Sequence, residues 1–508
     1  MMSQPLLSLG VATATSLILG LSTCAVLMLR RISESVGFAP PTSAMLEKEN
    51  PISNCALFRH LPKLANNLAW RSLGGIKTPV HICRVPSLHQ EEGRKEMKLE
   101  FSVKREDLIS PIYGGNKIRT LQHQLAICES RRERGEKSFR QLVSLGSGGS
   151  NQVVATVVHA RSLGWDGGIG EAKGEDAPSI NVCWFDKDEP DFDNTLNMLS
   201  VLSFPNIGFK FNWGDSVGRV ANWFRVILDT WTQTKYVPMM LGGNCPAGVL
   251  GQVGGVLELA EQIIAGESPD PSCIYVPVGS GCTISGLILG TVLVRYLNIP
   301  ALSHVQIVGC NVHPGFAKMD RMLNLHTNPR FGYIPLTITY SVKEACRALK
   351  KLGGPNLELE ALEFIKNRVI LRADADVVGL YGAHSNKTRS AARLYDEKGV
   401  VTDSAGREVK ELWLCGHFAA KAFQPLLRDL EDKAKTSNGE AQRFMLWMTK
   451  SAVQPLGTVD EWSAILKENN IVKKWANQGK AESCYRPGFF SMMDGKPEDH
   501  RSVMTKIL

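Results

Sequence analysis

Tyr113-Gly114-Gly115-Asn116-Lys117-Ile118-Arg119 sets a lysine behind a glycine pair at the mouth of a helix. Apolar residues recur at Ile118, Leu121, Leu125 and Ala126, a helical spacing that begins straight after Asn116, a residue suited to an N-cap. Lys117 therefore falls in the first helical turn, where the positive end of the macrodipole disfavours an ammonium. An amine so placed gives up its proton more readily, and the neutral amine is the form that attacks a carbonyl. Taken alone, an arbitrary GGNK is better read as a surface lysine beside a turn, so its surroundings decide.

Those surroundings are Lys104-Arg105-Glu106-Asp107, six further residues, and then Gly-Gly-Asn-Lys-x-Arg. The pattern resembles the opening signature of the pyridoxal-phosphate (PLP) proteins grouped as 1-aminocyclopropane-1-carboxylate deaminases and D-cysteine desulfhydrases. The resemblance implies a two-domain, tryptophan-synthase-β-like α/β fold (fold type II) with parallel sheets flanked by helices. It implies PLP as cofactor, carried by Lys117 with Asn116 beside it, and a small amino acid as substrate. The spacing of six residues rather than seven is closer to the desulfhydrases, which makes conversion of D-cysteine to pyruvate, sulfide and ammonia the leading expectation. Cyclopropane deaminase activity is the alternative, and a PLP-binding, membrane-tethered protein without turnover is the rival of another class.

Two more βα junctions support the lysine motif. Leu142 to Leu145 reads as a short buried strand, followed by Gly146 to Gly149, Ser150-Asn151-Gln152 and an apolar helical run. Without context Ser150 and Asn151 are better read as helix caps. The resemblance instead gives Ser150 the role of nucleophile or proton relay against the substrate, gives Asn151 a hydrogen bond to the cofactor's phenolic oxygen, and gives Gln152 a contact to the substrate carboxylate. Later, Cys273 to Val278 runs into Gly279-Ser280-Gly281-Cys282-Thr283 and a helix. Glycines let backbone N–H groups converge there and the helix dipole favours an anion. Such a loop alone is a weak sign, but in the family's order and spacing it reads as the cradle for the cofactor phosphate.

The resemblance thins beyond this. Tyr381, in Asp376 to His384, is the candidate active-site phenol. The family's His-Thr-Gly-Gly loop, which follows an apolar strand and faces the pyridine nitrogen, has its nearest match in Cys415-Gly416-His417-Phe418 after Leu412-Trp413-Leu414. That departure leaves the tuning of the cofactor open.

The expected layout is a large domain from 56–119 and 241–428, a small α/β domain at 120–240, and an extension of unknown role at 429–508. Residues 32–55, with Phe38-Ala39-Pro40-Pro41-Thr42-Ser43, read as a linker. Residues 1–31 read as an anchor or targeting segment, because 6–29 are uncharged and long enough to cross a bilayer. Arg30 and Arg31 after it would keep the catalytic part on the cytosolic side, and an organelle leader is the other option. A homodimer is expected. The 508 residues carry a net charge of +8 without a basic block, which gives nucleic-acid binding little support. The 12 cysteines show neither C-x-x-C nor zinc-ligand spacing, so no metal is expected and a reducing compartment suits the chain better than a disulfide framework.

Overall fold

The computed structural model describes residues 36–75, 77–88, 98–146, 150–165, 179–184, 197–198, 201, 204, 207–211, 236–313, 333–409, 412–436, 443–451, 467, 489–490 and 497–498. The proposed anchor at 6–29, Ser147 to Gly149 and most of the chain after Ser451 lie outside them. Among the described residues, no helix is long and apolar enough to cross a membrane.

Two sheets organise the protein. Strands β1 (Val80–Pro86), β2 (Lys98–Arg105), β7 (Cys273–Val278), β8 (Gln306–Asn311), β9 (Val369–Arg372), β10 (Val400–Thr402) and β11 (Phe444–Met448) form a seven-stranded sheet in the order β10-β1-β2-β11-β7-β8-β9. Pairing is antiparallel on the β10-β1-β2 side and parallel from β2 through β11 to β9. The second sheet is wholly parallel, in the order β5-β4-β3-β6: β3 (Gln141–Gly146), β4 (Ser179–Trp184), β5 (Ile207–Phe211) and β6 (Val237–Met239). This is the two-sheet, helix-flanked α/β architecture expected of the tryptophan-synthase-β-like fold. Central strands such as β7 and β11 are buried at every position, as parallel strands covered on both faces must be, so they read as continuous apolar runs.

Helix α1 (Lys117–Glu133) follows the lysine motif, and α2 (Asn151–Ser162), α3 (Pro246–Ile264) and α4 (Cys282–Tyr296) follow later. From Ile118 to Ser130 α1 is buried on every face, polar residues included. This burial is stable because its charges are paired. Arg119 donates to Glu106 at 2.8 and 2.9 Å and to Glu258 at 2.8 Å, while Lys104 donates to the same Glu258 oxygen and to Gln262, each at 2.6 Å. Arg105 is likewise closed on Asp107 at 2.7 Å. The run Lys104 to Asp107 thus serves as a buried, self-neutralised frame under the lysine loop.

Two boundary readings need correction. Residues 36–55 do not form an extended spacer: Val36, Ala39 and Met45 are buried in the main core, and short helices run over Ser43–Lys48 and Pro51–Asn54. The segment after 428 is not wholly an appendage, because β11 lies between β2 and β7 in the middle of the large sheet. Leu412 to Leu414, read as an apolar strand, are not in a strand; they are buried in a second core cluster together with Cys83, Phe101 and Phe423.

Nine described cysteines are buried and unbridged. No group of three or more His, Cys, Asp or Glu among the described residues is placed to hold a metal ion.

Candidate active site

Lys117 is the first residue of α1, and its Nζ donates to the carbonyl of Gly242 at 3.1 Å. Burial of the amine holds its pKa below the ordinary lysine value, with Cys282 pulling weakly the other way. The loop ahead of it is fixed from two sides. Gly115 N–H donates to Glu106 O at 2.9 Å, Asn116 N–H to Thr449 O at 3.1 Å, and Gly114 N–H to Ser451 Oγ at 3.1 Å. Gly115 has φ +98°, and a Cβ there would sit 2.7 Å from Thr449 O, so both conformation and space demand glycine.

The lysine loop and the glycine loop meet. Asn116 Nδ2 donates to Thr283 Oγ1 at 2.6 Å, and Asn244 Nδ2 donates to Ser280 O at 2.6 Å. Gly242, at φ +60°, has no room for a side chain: a Cβ on it would run into the Ser280 side chain and lie 3.6 Å from Lys117 Nζ. Asn116 is not the N-cap expected of it: its φ and ψ are helical, it makes no capping bond, and its amide reaches across to Thr283 instead. At the start of α4, Gly281 is left-handed with φ 84° and no side chain caps the helix, which leaves its first N–H groups for an anion. Cys282 is turned inward at 1% exposure, its Sγ donating to Gly243 O at 3.6 Å, and burial pushes its thiol up to about 12.

Ser150 occupies the N-cap position of α2 without making a capping bond, so its hydroxyl is not consumed by the helix. Asn151 is buried, and its Oδ1 accepts from Tyr113 Oη at 3.1 Å, Asn197 Nδ2 at 2.8 Å and Lys450 Nζ at 2.9 Å. Gln152, expected to meet a substrate carboxylate, is 1% exposed and donates within its own helix to Thr156 Oγ1 at 3.2 Å. Tyr381 lies in an aromatic cluster, its ring 4.6 Å from that of His313 and 4.5 Å from that of His417. His417 stacks on Phe418 at 4.0 Å, and Phe418 borders Gly279. Tyr381 is thus linked to the glycine loop through His417 and Phe418. Burial, with Lys421, Lys450 and His313 nearby, holds the His417 imidazole well below its usual pKa.

Sequence reading missed Thr449, Lys450 and Ser451. The loop that follows a buried strand and closes on the lysine motif is this one, rather than Cys415 to Phe418. The available sign was the run Phe444-Met445-Leu446-Trp447-Met448, five apolar residues suited to a central parallel strand. Thr449 Oγ1 is buried and has no hydrogen-bond partner among the described residues.

No protein-family profile matches the chain. A provisionally named 1-aminocyclopropane-1-carboxylate deaminase of Pyrococcus abyssi is 28% identical over 233 residues, 46% of this chain and 61% of that protein; the match therefore spans about three-fifths of the relative's length. Among solved structures, an ACC deaminase homologue has a TM-score of 0.49 at 20% identity, covering 78% of this chain and 94% of that one. The processed threonine deaminase isoform 2 of Solanum lycopersicum has a TM-score of 0.42 at 14% identity, covering 83% and 93%. The chain resembles the deaminase group in sequence as well as in the order of its motifs.

Proposed function

We propose that this chain is a PLP-dependent enzyme of the deaminase and lyase type acting on a small amino acid. The observation that carries the reading is that Lys117 and the Gly279 to Thr283 turn, far apart in sequence, face one another across the Asn116–Thr283 and Gly242–Ser280 contacts. The residues present fit the cofactor. A desolvated lysine amine is there for its aldehyde, and an uncapped helix start preceded by a left-handed glycine is there for its phosphate. The Asn151 amide suits its phenolic oxygen, and the Thr449 hydroxyl, without a partner among the described residues, suits its ring nitrogen.

Bound PLP would supply an electron sink that loosens bonds at the amino-acid α-carbon. The protein's own work is positioning and proton handling. Desolvation lowers the pKa of Lys117 Nζ and so favours the neutral amine, the form able to take a proton from the substrate and return it. Ser150, its hydroxyl unclaimed by the helix, would relay a proton or attack at the substrate. Lys450, buried against Asn151, brings positive charge that favours a phosphate and a carboxylate.

D-cysteine is placed first among substrates because six residues separate Asp107 from Gly114. The printed name of the Pyrococcus abyssi relative favours 1-aminocyclopropane-1-carboxylate as the second reading. The test is to add small D- and L-amino acids in turn to the purified protein with PLP while recording the cofactor spectrum, sulfide and 2-oxo acid. Sulfide from D-cysteine supports the first reading, and 2-oxobutyrate from the cyclopropane amino acid supports the second. A cofactor band that ignores every amino acid would leave a binder without turnover.

A further inference from the structure

Lys450 follows β11, is 2% exposed, and carries its charge into the site from a part of the chain that the lysine and glycine motifs do not include. Its Nζ donates to Asn151 Oδ1 at 2.9 Å and to Asn197 Oδ1 at 3.3 Å, and lies 4.5 Å from the centre of the Trp413 ring. Asn197, from the stretch between β4 and β5, in turn donates its Nδ2 to Asn151 Oδ1 at 2.8 Å. The three side chains close a triangle.

That triangle settles which way the amides face. An ammonium has only donors, so both of its amide partners must offer oxygen, and the usual ambiguity between amide O and N disappears. With Oδ1 of Asn151 held by Lys450, Asn197 and the Tyr113 hydroxyl, its Nδ2 is the end left to face a ligand. A charged donor makes stronger bonds than a neutral one and polarises the amide it holds, so Nδ2 becomes a better donor as well as a fixed one. The backbone of Lys450 meanwhile forms an antiparallel bridge to Gly115, two residues before Lys117. One residue thus grips the lysine loop with its main chain and the smaller sheet's unit with its side chain.

We propose that Lys450 is a positioning residue of the site: bridging Asn151 and Asn197, it orients the Asn151 amide toward the cofactor and ties the smaller unit to the loop that bears Lys117. The orientation toward a cofactor rests on the PLP reading, whereas the tie between the units does not.

The experiment compares full-length wild type, Lys450→Gln and Lys450→Arg by PLP titration followed by absorbance, and by backbone hydrogen exchange without PLP. Lys450→Gln should raise the half-saturating PLP concentration about tenfold, the loss of one charge-assisted hydrogen bond. It should also shift the pH midpoint of the lysine-bound cofactor band upward by about half a unit or more, since removing a nearby cation favours the protonated form. Lys450→Arg should recover most of both. In the PLP-free protein, Lys450→Gln should speed exchange at 151–154 and 197–198, and Lys450→Arg should not. A folded Lys450→Gln protein with wild-type affinity, midpoint and exchange overturns the proposal. If wild type shows no Lys117-dependent band, the PLP reading fails and exchange alone decides: unchanged exchange overturns the tie, faster exchange upholds it. Should Lys450→Gln fail to fold, Asn197→Ala removes another corner of the triangle, and wild-type behaviour in that variant overturns the proposal equally.

Discussion

Asn116 and Thr283, 167 residues apart, are joined by a 2.6 Å hydrogen bond from amide to hydroxyl. Each belongs to one of the two loops from which the site is built, and both are buried. Replacing Thr283 with valine keeps the shape and removes the acceptor, stranding a buried N–H₂ donor at a cost of about 1–3 kcal/mol. The expected outcome is a lower urea midpoint together with weaker PLP binding, by about tenfold or more. A Thr283→Val protein with wild-type affinity for PLP would show that this loop does not hold the phosphate.

Lys117 should react as a partly desolvated amine. Because burial lowers its pKa, the neutral form accumulates at a lower pH than for a solvated lysine. The rate at which PLP-free protein captures PLP should therefore rise with pH and level off below the usual lysine range, near 10.5. Lys117→Ala should fold, remove the lysine-dependent absorbance band, and abolish turnover. Stopped-flow absorbance across pH checks the first point, and a retained band in Lys117→Ala would end the assignment.

The parts of the site that were readable in the chain are those whose signal is local. Gly115 and Gly281 mark turns that need positive φ, and each stands just before a helix, so the two loops were visible as motifs. The roles that failed depend on distant partners. Asn116 satisfies every local rule for a cap, yet Thr283 offers its amide a better bond across the cleft. Leu412 to Leu414 has the composition of a strand, but β11 takes the place between β2 and β7, and no local feature says which apolar run wins a central position. The prolines after Phe38 suggested a spacer, whereas Val36, Ala39 and Met45 are drawn into the core.

The buried charges beneath the lysine loop should be unforgiving. Glu258 is shared by Lys104 and Arg119, which hold its carboxyl far below the usual range against the opposing effect of burial. Glu258→Gln would leave two buried cations with half their compensation, and about 3–5 kcal/mol of stability should be lost. Glu261, one turn further along α3 and partly exposed, pairs with Arg59 and His60 at the surface. Glu261→Gln should cost about 1 kcal/mol or less. Chemical denaturation of both variants at neutral pH decides it, and equal losses would mean that the buried cluster is not held by its charges.

Acid should loosen the same region through its histidines. His123 Nδ1 donates to Ala69 O at 3.0 Å and His159 Nε2 donates to Tyr113 O at 2.8 Å; burial lowers both imidazoles from 6.5 to about 4. Between those values the unfolded chain binds protons that the folded chain refuses, so stability rises with pH across the window. The contribution is complete above about pH 6.5 and fades as the pH falls toward 4, by on the order of a few kcal/mol for each histidine. Urea midpoints should therefore drop steadily between pH 7 and pH 5, before most carboxylates titrate. His159→Gln, which can keep a donor to Tyr113 O but cannot take up a proton, should flatten part of that slope. Because Tyr113 also donates to Asn151, the variant reports on the site as well: at pH 5 it should retain more PLP than wild type, and an unchanged slope with unchanged retention would show that His159 does not titrate with folding.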